Sequence, residues 1–163
     1  MRITRSISLV AAALPFAAMA AHSPQLATGG WERVTTVTGA TLGGRAIQTE
    51  VFSNSFRIRM ICISAWDATH PARHFLGIGP NSKCTPGGSV ANGRIELNGL
   101  CNDGQFGPSL LTGTGTYKLK SYDVNARSEG RMRGLPLVIT MHVSGRYVGA
   151  CDGTESNVKP LLQ

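Results

Sequence analysis

Residues 111–120 read Leu111-Thr112-Gly113-Thr114-Gly115-Thr116-Tyr117-Lys118-Leu119-Lys120. Leu111, Gly113, Gly115, Tyr117 and Leu119 fall on one side of a period-two alternation, and the threonines and lysines fall on the other. That is the pattern of a strand with one face in a core and one in water. The same period recurs outward from this stretch. Downstream come residues 121–127 and then 137–148, where Leu137, Ile139, Met141 and Val143 share a face. Upstream, residues 94–101 place Ile95, Leu97 and Cys101 together. Residues 31–38 form a first strand, and residues 45–52 a second after the Gly43-Gly44 turn. In the next strand Phe56, Ile58, Met60 and Cys62 share the side read as inward, with Arg57 and Arg59 opposite. One helical candidate lies near residues 66–76, with Pro71 tolerated at a helix start and Gly77 and Gly79 stopping it. The expected fold is all-β, an antiparallel meander of about seven strands, barrel-like or sandwich, with one short helix.

The first twenty residues read as a signal peptide. Arg2 and Arg5 give a positive start, residues 7–18 are apolar but too short to span a bilayer, and Ala18-Met19-Ala20 supplies the small-x-small cleavage pattern. Cleavage is expected before Ala21, with export to the periplasm. No second long apolar run suggests a transmembrane segment. Residues 21–163 then form one domain of ordinary size. Loss of Arg2 and Arg5 takes Lys+Arg from 16 to 14 against 9 acids, and the net charge from +7 to +5. A moderate positive excess favours contact with anionic surfaces and says nothing about fold.

The four cysteines, Cys62, Cys84, Cys101 and Cys151, fit an exported protein with two disulfides. Four cysteines allow three connectivities. Asn92-Gly93, a strong hairpin-turn signal, lies midway between Cys84 and Cys101 and would bring them opposite each other. That favours Cys84–Cys101 and leaves Cys62–Cys151. A zinc site is the competing reading, and it lacks a C-x-x-C pair.

Several landmarks recur in a set order: Gly30-Trp31-Glu32, the four cysteines, Thr112-Gly113-Thr114-Gly115, and Gly145-Arg146-Tyr147-Val148-Gly149-Ala150-Cys151. In this order they resemble the bacterial envelope family catalogued as domain of unknown function 3617, across nearly the whole chain after residue 20. The resemblance implies a secreted, disulfide-bonded β domain and implies no activity.

Candidate chemistry is sparse. On one helix face, Asp67, His70 and His74 would offer two imidazoles and a carboxylate to a metal, with His142 as a further ligand if the fold delivered it. The plainer reading is a polar helix face, and no metal and no cofactor are expected. Ser156 and Lys159 match a Ser-x-x-Lys spacing without its companion motifs, and Gly107-Pro108-Ser109 fails as a nucleophile elbow at Leu111. Nine scattered carboxylates leave a glycosidase-type pair unreadable. Arg57, Arg59, Lys118 and Lys120 are read as outward-facing, with Arg127, Arg131 and Arg133 near a turn. Without interleaved aromatics and after export, nucleic acid is not an expected partner. Trp31, Phe56, Trp66, Tyr117, Tyr122 and Tyr147 either line a cavity or fill the core.

The leading expectation is a periplasmic, non-enzymatic β domain that binds a small apolar ligand or an anionic envelope component. The alternatives are an envelope interaction protein docking through a basic face, and a hydrolase whose site is assembled from scattered residues.

Overall fold

Turn chemistry sets the hairpins. Leu42 pairs with Arg45 around Gly43 and Gly44, Ala91 with Arg94 around Asn92 and Gly93, and Met132 with Leu135 around Arg133 and Gly134. Both central residues have positive φ in each turn. These are two-residue turns whose twist matches that of the strands they join. The computed structural model describes residues 26–51, 56–75, 83–102 and 107–153. The strands are β1 (Gly29–Leu42), β2 (Arg45–Ala46), β3 (Phe56–Ile63), β4 (Cys84–Ala91), β5 (Arg94–Asn102), β6 (Pro108–Lys118), β7 (Ser121–Met132) and β8 (Leu135–Gly149). Two short helices, α1 (Ala65–Thr69) and α2 (Ala72–Phe75), lie between β3 and β4.

All the strands join one antiparallel sheet in the order β2-β1-β8-β7-β6-β5-β4. β3 pairs with residues 29–36 of β1, on the edge that β2 uses further along. The sheet does not close. The all-β antiparallel meander with a short helical segment is thus as expected, its strands making one open sheet. A register shift in β1 between Val37 and Gly39 adds one residue opposite β8, so that Ala40 and Leu42 face inward again with Ile139 and Leu137.

Three local expectations are corrected. Residues 45–52 do not form a long strand: ladder pairing stops at Ala46, Ile47 adds one amide hydrogen bond to the Ala40 carbonyl at 3.0 Å, and a 3-10 turn follows at Thr49–Val51. The helix breaks at Pro71. Ser64 caps α1, its hydroxyl accepting from the Asp67 amide at 3.2 Å while the Asp67 carboxylate accepts from the Ser64 amide at 3.2 Å. His70 leaves helical geometry at φ −127° and ψ 53°, as the residue before a proline tends to do. The third correction concerns β3. Ile61 and Ile63 are buried, whereas Phe56, Ile58 and Met60 are exposed, so Arg57 and Arg59 share the inner side. Register decides this: Ile61, Arg59 and Arg57 stand opposite Trp31, Arg33 and Thr35, on the side that Trp31 takes into the core.

The core lies on the inner face. Trp31, Ile61, Ile63, Ile95, Val124, Val143 and Phe75 are its fully buried members. A four-residue helix has no stability of its own, and α2 is held by Phe75, whose ring meets Tyr122 edge-on at 4.9 Å and Tyr117 at 6.2 Å. Leu119, expected on the inner side, lies in the turn after β6 and is exposed.

Two cysteine pairs stand at disulfide distance. Cys84 faces Cys101 across the β4–β5 ladder with Cα atoms 3.9 Å apart, and Cys62 meets Cys151 with Cα atoms 5.6 Å apart. The bridges close loops of very different length, 89 and 17 residues in sequence separation. On the chain-entropy account, double Cys→Ser replacement of Cys62 and Cys151 is expected to cost about 4–5 kcal/mol, and of Cys84 and Cys101 about 3 kcal/mol. Urea midpoints of the two variants measure the difference. Equal losses, or a larger loss for the short loop, would show that loop entropy is not the governing term.

Candidate functional site

The helical pair brings together two of the three residues expected to form a polar cluster. His74 Nε2 lies 3.1 Å from Asp67 Oδ1. His70 stays outside, its ring stacked on Trp66 at 4.3 Å and its Nδ1 3.0 Å from the Trp66 carbonyl oxygen. The break at Pro71 is the reason, since the four-residue spacing of His70 and His74 places them on one face only in a continuous helix. His142 is further removed. It lies on the outer face of β8, where its Nε2 is 2.7 Å from Asp123 Oδ2. Among the described residues, no three His, Cys, Asp or Glu side chains are grouped so as to hold a metal ion. Ser109 sits within β6 opposite Cys101, not at a strand-to-helix elbow, and Ser156 and Lys159 lie outside the described residues.

A different group converges on the inner face. Arg59 of β3 stands opposite Arg33 of β1, Gly145 of β8 stands opposite Arg33 on the other side, and Tyr122 of β7 stands opposite Gly145. A Cβ at Gly145 would run into the Tyr122 ring, with the hydroxyl oxygen 2.7 Å away. The glycine therefore lets the ring lean across β8 toward β1. Tyr122 also stacks on Trp31 at 5.6 Å. Its hydroxyl is buried and has no hydrogen-bond partner among the described residues. Burial pushes the phenol up to about 12, against the pull of the nearby Arg33 charge.

Arg33 is only 7 % exposed. One of its amino groups donates to the His74 carbonyl oxygen at 3.4 Å. Burial lowers its pKa from the ordinary arginine value; Tyr122 opposes that shift, and Arg59 and Arg57 add to it. Arg57 is lowered as well, by burial and then by Arg59. Among the described residues, no carboxylate pairs with Arg33, Arg57 or Arg59. Further along the same face Val37, Ile139 and Met141 are half-buried beside the dry core.

Outer-face charge is mostly matched. The Arg146 guanidinium grips the Glu32 carboxylate with two hydrogen bonds, at 2.8 and 3.0 Å, and holds it below the usual glutamate range. Arg127 pairs with Glu129 at 2.6 Å. A groove of about 510 Å³ crosses this side of β5, β6 and β7, with Glu96, Asn98, Thr114, Asn125 and Arg127 in its lining. The expected basic outer face is thus reduced to Lys118, Lys120 and the Arg131–Arg133 turn, because Arg57 and Arg59 point inward. Of the aromatic set, Trp31, Tyr117 and Tyr122 are in the core, Tyr147 is half-buried, and Phe56 and Trp66 are exposed. No helix among the described residues is long and apolar enough to cross a membrane. The sequence reading passed over Arg33. Its signal was an arginine on the same parity as Trp31 and Val37 in the β1 alternation.

The Asp67–His74 contact generates an acid-stability prediction. Burial raises the Asp67 pKa, but hydrogen bonds from Ser64 and His74 outweigh that and leave it below the ordinary aspartate value. A depressed carboxylate contributes stability that is present above its unfolded pKa, about 3.9, and is lost as pH falls through the lower folded value. Asp67→Asn is expected to unfold at lower urea than the parent at pH 7 and to close that gap below about pH 3. A gap that stays constant with pH would show that the charge is not what Asp67 contributes.

A family model described as Protein of unknown function (DUF3617) matches residues 26–151. No curated protein and no solved structure matches the chain.

Proposed function

The chain belongs to the DUF3617 family, and we propose that it is an exported, non-enzymatic binding domain, residues 21–163 after cleavage of the signal 1–20, that takes a small apolar ligand of the envelope on the inner face of its open sheet. One observation carries this reading: Val37, Ile139 and Met141 stay half-buried together beside the buried core of the inner face. Apolar surface gains by removal from water at roughly 25 cal/mol per Å². Side chains left partly uncovered beside a finished core therefore favour an apolar occupant. The non-enzymatic part rests on the arrangement of the polar residues. Among the described residues, the inner-face row is made of guanidinium groups and a phenol, and no carboxylate or imidazole joins it. The periplasmic destination rests on the Arg2 to Ala20 pattern and on the two cysteine pairs.

Native mass spectrometry of protein taken from the periplasm without refolding tests the reading. The expected result is the mass of a chain starting at Ala21, two disulfides formed, and an adduct released on mild unfolding. Met141→Gln, which keeps side-chain length and adds polarity at a half-buried position, is expected to lower adduct occupancy without lowering the urea midpoint by more than about 1 kcal/mol equivalent. A bare mass, together with no uptake of decanol by the purified protein, overturns the reading.

A further inference from the structure

We infer that the inner face is built for an amphiphile with an oxyanion head, the head gripped by Arg33 and Arg59 with a hydrogen bond from the Tyr122 hydroxyl, and the chain lying along Val37, Met141 and Ile139. The inference rests on the binding reading above and gives it a ligand class.

Three observations converge on the head. First, Arg59 and Arg33 stand directly opposite each other on paired strands, with Arg57 next along the edge. Like charges in that relation repel, and among the described residues no carboxylate stands between them or beside them. Second, Arg33 is buried with one long hydrogen bond to the His74 carbonyl oxygen, although a guanidinium carries five donors in a planar fork. Buried charges are ordinarily paired. Third, the Tyr122 hydroxyl, on a residue 3 % exposed, has no partner among the described residues, whereas buried phenols ordinarily find one. Its ring crosses Gly145, the residue opposite Arg33, and the Arg33 charge acts on the phenol. An oxyanion accepts from all of them at once and cancels the repulsion.

Edge protection does not account for the whole row. Inward-pointing charge on an edge strand discourages edge-to-edge pairing, and that duty fits Arg57 and Arg59 on β3. Arg33 lies on β1, which is paired on both sides here, by β3 and β8. Nor does free inorganic anion account for the neighbourhood. Thr35 and then Val37, with Met141 and Ile139 from β8, continue from the arginines along the same face. Charge and apolar surface are contiguous, which suits a head and a chain in one molecule.

The test compares three probes on the mature, disulfide-bonded protein by titration calorimetry, each kept below its micelle concentration: decyl phosphate, decanol and inorganic phosphate. Decyl phosphate is expected to bind at least about tenfold more tightly than either of the others, the size of one charge-assisted hydrogen bond. Arg59→Gln, at a half-buried edge position, is expected to erase most of that preference by weakening decyl phosphate far more than decanol. Tyr122→Phe, which keeps the ring over Gly145, is expected to weaken decyl phosphate several-fold and decanol less. Equal affinity for decanol and decyl phosphate overturns the oxyanion head and leaves the binding reading standing. Inorganic phosphate binding as tightly as decyl phosphate overturns the amphiphile. Binding of none of the three overturns both this inference and the reading beneath it.

Discussion

Phe75 meets Tyr122 edge-on at 4.9 Å, and Tyr122 stacks on Trp31 at 5.6 Å. These three rings join the interrupted helical segment to β7 and β1, strands separated by β8. An open sheet needs that connection. A closed barrel buries its inner face against itself, whereas here the face must be covered by whatever the chain can lay across it. Among the described residues, Leu26, Ala68 of α1 and Phe75 of α2 contribute to that cover, and α2, four residues long, is too short to persist without its aromatic anchor. The core, the position of His74 and the environment of Arg33 therefore depend on the same aromatic contact.

The contact also divides the inner face. On the side toward β5 and β6 it is dry, with Ile95, Leu97 and Tyr117 buried. Toward β3 it turns basic, through Arg33, Arg59 and Arg57, and then only half-covered, through Val37, Ile139 and Met141. Tyr122 stands at the boundary with its ring in the dry part and its hydroxyl turned to the basic part. Gly145 makes this possible, because any side chain there would occupy the space of the ring.

The two faces of the sheet handle charge in opposite ways. Outside, Glu32 with Arg146 and Glu129 with Arg127 neutralise one another in water, where such pairs contribute little to stability. Inside, Arg33 is buried beside the half-buried Arg59 and Arg57 without an acid pairing among the described residues, and a buried charge has larger consequences.

The sequence by itself determined most of the strands, the hairpin turns and the pairing of Cys84 with Cys101. Alternation is local, Asn92-Gly93 and Gly43-Gly44 act on their own backbone, and a midway turn places Cys84 opposite Cys101 whatever surrounds them. It determined neither which side of β3 faces inward nor whether the sheet closes. Period two separates Phe56, Ile58 and Met60 from Arg57 and Arg59, but register with Trp31 selects the inner set, and that register is a contact between strands distant in sequence. The same holds for the site. Arg33, Gly145 and Tyr122 are separated by up to 112 positions and look unremarkable one at a time, and the pairing of β1 with β8 and of β8 with β7 sets them in a row. Only tertiary structure sets a buried guanidinium beside a glycine and a buried phenol, because burial and strand pairing are relations between residues distant in sequence.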